Sequence, residues 1–305
     1  MQRSEFLKSS LLAGVALASG TIAMAESTPA RKKAGETFSL NYAPHFGMFS
    51  NHSGKDVLDQ IKFMHDQGFR AIEDNGMMGR PVSEQEKIGK ELNRLGMTMG
   101  VFVLDKGGNG QNSLAAGKPE FIDIFLNGCK QAVDVAKRVN AKWTTVVPGD
   151  FERNLPTGIQ TGHVVEALRR GVEILEPHGI VMVLEPLSDT PNLFLRTSDQ
   201  TYEICKAVNS PSCKLLYDIY HMQKNEGNLI VNIDRTWDEI AYIQIGDNPG
   251  RNEPSTGEIN FNNVFKHIHG KGYKGVMGME HGKSKEGKEG ELALIKAYRT
   301  ADSFS

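Results

Sequence analysis

The chain has 305 residues, carries 35 lysines and arginines against 37 aspartates and glutamates, and has a formal net charge of −2. This near balance gives no reason to expect nucleic acid as a partner, since nucleic-acid-binding proteins gather positive charge on one face. Only three cysteines are present, at positions 129, 205 and 213, which excludes a disulfide framework. We expect buried thiols, and a Cys205–Cys213 bridge stays open as an alternative.

The first 25 residues have the features of an export signal. Arg3 and Lys8 supply positive charge, residues 11–24 are apolar or small, and Ala-Met-Ala at 23–25 is typical of a cleavage site. The apolar stretch is too short for a membrane span, and no cysteine near the cleavage point indicates a lipid anchor. We therefore predict an exported protein, periplasmic or extracellular, without a stable membrane anchor.

The export route stays open. Residues 3–8, Arg-Ser-Glu-Phe-Leu-Lys, resemble the twin-arginine export motif, but Ser4 stands where the second arginine should be. This departure leaves the twin-arginine and the general secretion pathways as alternatives. Residues 26–36 are predicted to form a polar tether, and residues 37–305 a single domain.

Strand-like and helix-like segments alternate along the first half of this domain. Strands are predicted at 38–42, 69–73, 97–103 and 143–147, and helices at 55–67, 83–95 and 119–139. Gly68 and Gly96 follow the first two helices as C-terminal stops, and Ser83 caps the start of the second. The long loop of residues 105–117, rich in Gly and Asn, is a candidate active-site loop.

The alternation continues to the C-terminus. Helices are predicted at 163–177, 198–208, 229–234, 260–269 and 289–301, and strands at 180–184, 214–217, 239–245 and 275–279. Eight strands that alternate with about eight helices, in a chain somewhat longer than ~250 residues, predict an α/β fold with a single (β/α)8 TIM barrel. The sequence contains no internal repeat and no low-complexity break between domains.

The last four strands of the predicted barrel each end in a side chain with an oxygen ligand. These residues are Glu185, Asp218, Gln244 and Glu280. They are 33 (185 to 218), 26 (218 to 244) and 36 (244 to 280) residues apart, about one strand–helix unit each. Because barrel active sites lie at the carboxyl ends of the strands, we expect these side chains to converge. Oxygen ligands without thiolate favour one Mg²⁺ or Mn²⁺ ion, with Co²⁺ as a further candidate.

Five stretches of the chain resemble the hydroxypyruvate isomerase family, within the xylose isomerase-like barrels. They are Leu-Glu-Pro at 184–186, Tyr-Asp-Ile-Tyr-His-Met-Gln at 217–223, Gln-Ile-Gly-Asp-Asn-Pro-Gly-Arg at 244–251, Thr-Gly-Glu-Ile at 256–259 and Gly-Met-Glu at 278–280. The resemblance covers nearly the whole chain after the signal. The second and third stretches are its most specific parts, whereas the glutamate of the first is weak evidence alone.

The resemblance implies four metal ligands, namely Glu185, Asp218, Gln244 and Glu280. It implies that Glu185 and Glu280 also move protons on opposite faces of the substrate, and that His221 and Arg251 contact substrate oxygens. The implied activity is divalent-metal-dependent isomerisation of an aldose–ketose-type pair through an enediolate, most like the conversion of hydroxypyruvate to tartronate semialdehyde. Arginine also suits a bidentate contact with a substrate carboxylate.

Two positions separate branches of this group. Tagatose 3-epimerase-like enzymes have histidine at the third metal position and a further glutamate six residues after the first ligand. This chain has Gln244 and Pro191 at those positions, which favours the hydroxypyruvate isomerase branch. Export argues the other way, because hydroxypyruvate is an intracellular metabolite, so an exported epimerase or lyase acting on a sugar or keto-sugar is an alternative.

Two other classes of protein are compared with the isomerase prediction. An exported sugar-binding protein without catalysis is an alternative on the same barrel. A zinc-dependent apurinic endonuclease is disfavoured, since several histidine ligands at strand ends and a basic face are not visible.

His45, His52 and Glu73 follow the first two strands and are additional candidates for lining the pocket. The expected partner is a small sugar or hydroxy-keto acid, and the sequence leaves open whether the chain forms a homo-oligomer.

Overall fold

The computed structural model describes residues 35–304. The predicted export signal at 1–25 and residues 26–34 of the predicted tether lie outside the described residues. The strands are β1 (Asn41–Ala43), β2 (Ala71–Ile72), β3 (Thr98–Met99), β4 (Phe102–Val103), β5 (Trp143–Val146), β6 (Val181–Leu184), β7 (Cys213–Asp218), β8 (Ile240–Gln244) and β9 (Val276–Gly278).

Ten α-helices alternate with these strands in the described part of the chain. They are α1 (Ser50–Ser53), α2 (Val57–Asp66), α3 (Val82–Leu95), α4 (Pro119–Val139), α5 (Thr157–Leu175), α6 (Ser198–Val208), α7 (Ile219–Asn225), α8 (Leu229–Thr236), α9 (Phe261–Gly270) and α10 (Gly287–Ala301). The longer helices are amphipathic and turn an apolar side toward the sheet, as the helix α4 does with Phe125, Ala132 and Val139.

All strand pairs are parallel, and they close into a barrel of eight sectors. Seven strands form one sheet in the order β1-β9-β8-β7-β6-β5-β4, and β2 pairs with β3. A bridge between His45 and Glu73 joins the end of β1 to that of β2, and Val103 N–H donates to the Asn75 carbonyl at 3.2 Å. The predicted (β/α)8 TIM barrel is therefore the observed fold.

One predicted strand is divided. Residues 97–103 were expected to be continuous, but the structure interrupts them between β3 and β4 at Gly100 and Val101. A Cβ atom at Gly100 would collide with the Tyr242 hydroxyl, which crosses the barrel interior at this point. A Cβ at Gly278 would likewise overlap the Glu73 carboxylate. These two glycines leave room inside the barrel for a polar pair, Glu73 and Tyr242, that apolar periodicity alone does not reveal.

Several helix ends differ from the predictions. Ser83 was expected to cap the second helix, but α3 begins at Val82, after Pro81, and no side chain caps it. The helix predicted from residue 163 starts at Thr157, one residue after Pro156, so its first two turns were missed. The short helices α1 and α7 were not predicted, because neither is long enough to show an apolar period. The cysteines Cys129, Cys205 and Cys213 are free and buried, as expected from their number.

No helix among residues 35–304 is both long and apolar enough to cross a membrane.

Candidate metal centre and active site

The four predicted metal ligands lie at the carboxyl ends of β6, β7, β8 and β9. Register places Asp218 directly opposite Gln244, and Gln244 opposite Gly278, two residues before Glu280. Glu185 immediately follows β6, the neighbour of β7. Residues far apart in the chain are therefore at one level of the same barrel mouth, as expected for parallel strands that end together.

Three of the predicted ligands cluster closely with His221. One ligand atom from each of Glu185, Asp218, His221 and Glu280 lies within 4.8 Å of the others. His221 joins this group because Asp218 caps helix α7: its Oδ1 accepts from the N–H groups of Tyr220 at 2.7 Å and of His221 at 3.1 Å. Capping fixes the first helical turn and so turns the imidazole toward the carboxylates.

Gln244 donates a hydrogen bond to a buried carboxylate inside the barrel. Its Nε2 donates to Glu73 Oε1 at 3.0 Å, and the Tyr242 hydroxyl donates to Glu73 Oε2 at 2.9 Å. Both Glu73 and Gln244 are buried, with 1 % and 0 % exposure. Since the amide nitrogen is committed to Glu73, the amide oxygen of Gln244 is the atom left for a ligand.

The donor set has the properties that a divalent cation requires. Glu185 Oε1 and Gln244 Oε1 are buried and have no hydrogen-bond partner in the described part of the chain. Buried polar atoms are normally paired, and an unpaired one is costly unless a ligand satisfies it. Carboxylate and amide oxygens are ligands that Mg²⁺ and Mn²⁺ prefer. The residues present therefore fit one such ion.

The cluster concentrates negative charge away from water. Burial raises the pKa of Glu185 well above its usual range, and the neighbouring charges of Glu280 and Asp218 raise it further. Burial and the charge of Asp218 raise the pKa of Glu280 to about 8, against the opposing charge of Arg251. A bound cation would remove this mutual repulsion, because an opposite charge stabilises the ionised form of each carboxyl group.

Arg251 places its guanidinium group among these carboxylates. Its Nη2 donates to Glu280 Oε2 at 2.8 Å and lies 3.5 Å from Asp218 Oδ2, while its Nε donates to the Glu280 carbonyl at 3.2 Å. The group also stacks over the Tyr220 ring, 5.0 Å from its centroid. Burial lowers the pKa of Arg251, but the charges of Asp218 and Glu280 outweigh it and raise the pKa overall.

Each ring nitrogen of His221 faces a donor. The Ser188 backbone N–H points at Nδ1 from 3.2 Å, and Arg251 Nη2 lies 3.1 Å from Nε2. The Ser188 hydroxyl also lies 2.7 Å from Nδ1, where it can donate or accept. Ser188 and Arg251 therefore hold the imidazole from both sides, with Nε2 3.8 Å from Asp218 Oδ2 and 4.0 Å from Glu185 Oε1.

Several supporting residues were not found from the sequence. Asn75 Nδ2 donates to Glu280 Oε1 at 2.7 Å, and Ser188 and Tyr242 orient His221 and Glu73. Asn75 could have been found, since it follows β2 at the same barrel mouth. Ser188 lies in a loop and Tyr242 inside a strand, so neither has a local signal.

The three additional candidates have different positions. Glu73 and His45 line a cavity of about 310 Å³ together with Glu280. His52 instead contacts Glu291, with 2.6 Å between Nδ1 and Oε2. His281, which was not singled out from the sequence, is buried and lies 2.7 Å from the Tyr298 hydroxyl.

The chain is similar to known proteins over most of its length. A family model described as xylose isomerase-like TIM barrel matches residues 61–299. Hydroxypyruvate isomerase of Escherichia coli K12 is 29% identical over 264 residues, covering 86% of this chain and 99% of that protein. The 2-oxo-tetronate isomerase of Cupriavidus necator is 27% identical over 255 residues, covering 82% of this chain and 95% of that protein.

Solved structures share the fold at lower sequence identity. A family 2 AP endonuclease from Brucella melitensis has a TM-score of 0.70 and 22% identity, covering 82% of this chain and 96% of that chain. The apo form of 3-keto-D-glucoside 4-epimerase from E. coli has a TM-score of 0.68 and 17% identity, covering 86% of this chain and 97% of that chain. These likenesses establish the barrel.

Proposed function

The chain belongs to the xylose isomerase-like TIM-barrel family and, within it, to the hydroxypyruvate isomerase group; on this premise we propose that it is a metal-dependent isomerase of small 2-keto acids that carry a hydroxyl group on the neighbouring carbon. Both named relatives act on compounds of this kind, hydroxypyruvate and 2-oxo-tetronate. The reaction moves the carbonyl to the adjacent carbon, as in the conversion of hydroxypyruvate to tartronate semialdehyde.

The observation that carries this proposal is the convergence of Glu185, Asp218, His221 and Glu280 within 4.8 Å. Glu185, Asp218, Gln244 and Glu280 are the proposed ligands of one Mg²⁺ or Mn²⁺ ion, with Co²⁺ as a further candidate. Such an ion supplies a Lewis acid that polarises a carbonyl group and favours negative charge on its oxygen.

The side chains of this protein perform the proton transfers. Glu185 and Glu280 approach the cluster from different strands, so one carboxylate can take the proton from the hydroxyl-bearing carbon and the other can return one to its neighbour. His221 is placed within the cluster to contact a substrate oxygen as negative charge develops there. Arg251, which is 31% exposed, turns from Glu280 and Asp218 to the substrate carboxylate, for which its planar donors are suited.

Proton exchange with heavy water tests this proposal. Mn²⁺-loaded protein incubated with hydroxypyruvate in heavy water is expected to place deuterium on the reacting carbons and to form the aldehyde isomer, both observable by proton NMR. The EDTA-treated protein is the control and is expected to leave the substrate unlabelled.

Other outcomes of the same measurement separate the alternatives. With 2-oxo-tetronate or a free ketose as the substrate, deuterium incorporation with inversion at one carbon and no carbonyl transfer would identify an epimerase. Release of a leaving group would identify a lyase. Retained Mn²⁺ without any label, across hydroxypyruvate, 2-oxo-tetronate and free ketoses, would overturn catalysis and leave a sugar-binding protein.

Changes at Gln244 test the ligand set. Gln244→His is expected to retain Mn²⁺, because imidazole is also a metal ligand, whereas Gln244→Ala is expected to weaken Mn²⁺ binding by about 10- to 100-fold. The alanine variant also leaves Glu73 Oε1 without the donor that lies at 3.0 Å. Isothermal titration with Mn²⁺ measures both variants.

Gln131→Ala, at an exposed position of α4, is the matched control and should bind Mn²⁺ like the parent protein. Unchanged affinity in Gln244→Ala would remove Gln244 from the proposed ligands.

A further inference from the structure

A second cavity lies beside the reacting groups and has no role in the chemistry described above. It has a volume of about 270 Å³ and is lined by Asn75, Met78, Gly79, Lys106, Asn109 and Val147, among others. Its wall at Asn75 and Gly76 is shared with the cavity that contains Glu280. The two cavities therefore meet at the side chain that holds the proposed catalytic carboxylate.

The contacts of the Glu280 carboxylate indicate how a substrate is oriented between the two cavities. Its Oε2 accepts from Arg251 at 2.8 Å, and its Oε1 accepts from Asn75 at 2.7 Å. The guanidinium group and the amide therefore lie on opposite sides of one carboxylate. A keto acid that places its carboxylate at Arg251 and its reacting carbons against Glu280 directs its remaining carbons toward Asn75.

Asn75 presents an unused acceptor at this boundary. Its Nδ2 is committed to Glu280, and its Oδ1 is buried without a hydrogen-bond partner in the described part of the chain. An unpaired buried amide oxygen is costly, and a hydroxyl donor satisfies it. The boundary therefore favours a carbon that carries a hydroxyl group over a bare methyl group.

The outer wall of the cavity is polar and held in place. It is formed by Asp105, Lys106, Gly108 and Asn109 of the loop after β4, in which Gly107 and Gly108 have φ values of +93° and +110°. Lys106 is 3 % exposed and donates to the carbonyl groups of Gly108, at 3.1 Å, and of Gln111. The buried ammonium group draws the loop back on itself and so keeps the cavity open beside Asn75.

We propose that this cavity is a subsite for the carbon chain beyond the reacting carbons, so that the substrate is a hydroxylated keto acid of four or more carbons. This inference rests on the proposed function. Hydroxypyruvate has only a hydrogen atom at this position, whereas 2-oxo-tetronate has a hydroxymethyl group. The hydroxymethyl group enters the cavity and donates to Asn75 Oδ1.

Filling the cavity tests the subsite. Gly79 lines it, and a Cβ there would meet nothing within 4 Å, so Gly79→Ala and Gly79→Leu add volume without a clash at Cβ. The parent Mn²⁺-loaded protein is expected to have a higher kcat/KM for 2-oxo-tetronate than for hydroxypyruvate. Gly79→Leu is expected to lower the ratio of the two values by about tenfold or more, and Gly79→Ala by less.

Binding of unreactive analogues gives a second measure that does not need turnover. Tetronate and glycerate differ by the same hydroxymethyl group, and their affinities are measured by titration calorimetry with the Mn²⁺-loaded proteins. The tetronate-to-glycerate affinity ratio is expected to fall in Gly79→Leu in parallel with the kinetic ratio. Gly162→Leu, at an exposed helical glycine with open space, is the matched control and should leave both ratios unchanged.

The outcomes distinguish the two proposals. Equal ratios in the parent protein and in Gly79→Leu, with melting temperatures that match, would overturn the subsite. If the parent protein converts neither keto acid, the proposed isomerase function fails, and the analogue affinities still decide whether the cavity binds the longer chain. If Gly79→Leu does not fold, the same comparison is made with Gly79→Ala.

Discussion

Replacing Glu280 with glutamine is expected to slow deuterium exchange and isomerisation by about 10²- to 10⁴-fold, the range that a positioned acid–base group contributes. Glutamine keeps the shape of the side chain and an oxygen that can accept from Asn75, but it cannot take a proton from carbon. The measurement is the rate of deuterium incorporation from heavy water, at saturating Mn²⁺ and substrate, with the metal content determined for each protein.

Glu166→Gln is the matched control for this experiment, since Glu166 is exposed on α5. It makes the same chemical change away from the site and should retain the parent rate within about twofold. Full turnover by Glu280→Gln with normal Mn²⁺ content would show that Glu280 moves no proton. Glu185→Gln would then show whether one glutamate alone performs the transfer.

Replacing Asp218 with asparagine or alanine is expected to separate metal binding from helix capping. Asp218 is fully buried, and its Oδ1 accepts from two backbone N–H groups at the start of α7. Both variants remove the ligand charge, and each is expected to weaken Mn²⁺ binding by about 100-fold or more, since residues that merely support a ligand account for about 10- to 100-fold. Asparagine keeps an acceptor for the N–H groups, so Asp218→Ala is expected to be less stable than Asp218→Asn by about 1 kcal/mol.

Titration calorimetry with Mn²⁺ gives the affinities, and urea unfolding in the presence of EDTA gives the stabilities. Asp56, which caps α2 by accepting from Leu58 and Asp59 N–H groups, is the matched control. Asp56→Ala should show the loss of stability without any change in Mn²⁺ affinity. Parent-like Mn²⁺ affinity in Asp218→Asn would contradict the metal centre proposed here.

Much of the fold could be predicted from local sequence, and the exceptions have identifiable causes. The helices α4 and α6 have the predicted limits, 119–139 and 198–208. In the structure Pro119 is the first residue of α4, Thr197 caps α6, and an asparagine in left-handed conformation ends each helix. The strand at 97–103 was predicted as continuous. The structure divides it at Gly100, where the hydroxyl of Tyr242, more than 130 residues later, leaves no room for a Cβ atom, and no local pattern contains that information.

The candidate site, like the fold, could be predicted only in part from local sequence. Asp218 and Gln244 could be identified because each ends an apolar strand, and parallel strands bring such ends to one rim. The contact of Glu73 with Gln244 depends on packing inside the barrel. The contacts of Asn75 with Glu280 and of Ser188 with His221 depend on how adjacent loops pack at the barrel mouth. Those contacts join residues separated by 33 to 205 positions.

The sequence by itself determined that strands and helices alternate and that four side chains with oxygen donors stand at strand ends. It also shows that the first 25 residues have the features of an export signal, which stays a prediction. Periodicity and strand ends are local properties, so one chain of letters is sufficient to show them. Only the tertiary structure decided that Arg251 lies between the carboxylates, that Ser188 and Arg251 flank the His221 ring, and that a cavity opens beside Asn75. Each of these depends on the relative position of loops from different sectors of the barrel, and that position is set by packing rather than by any single segment.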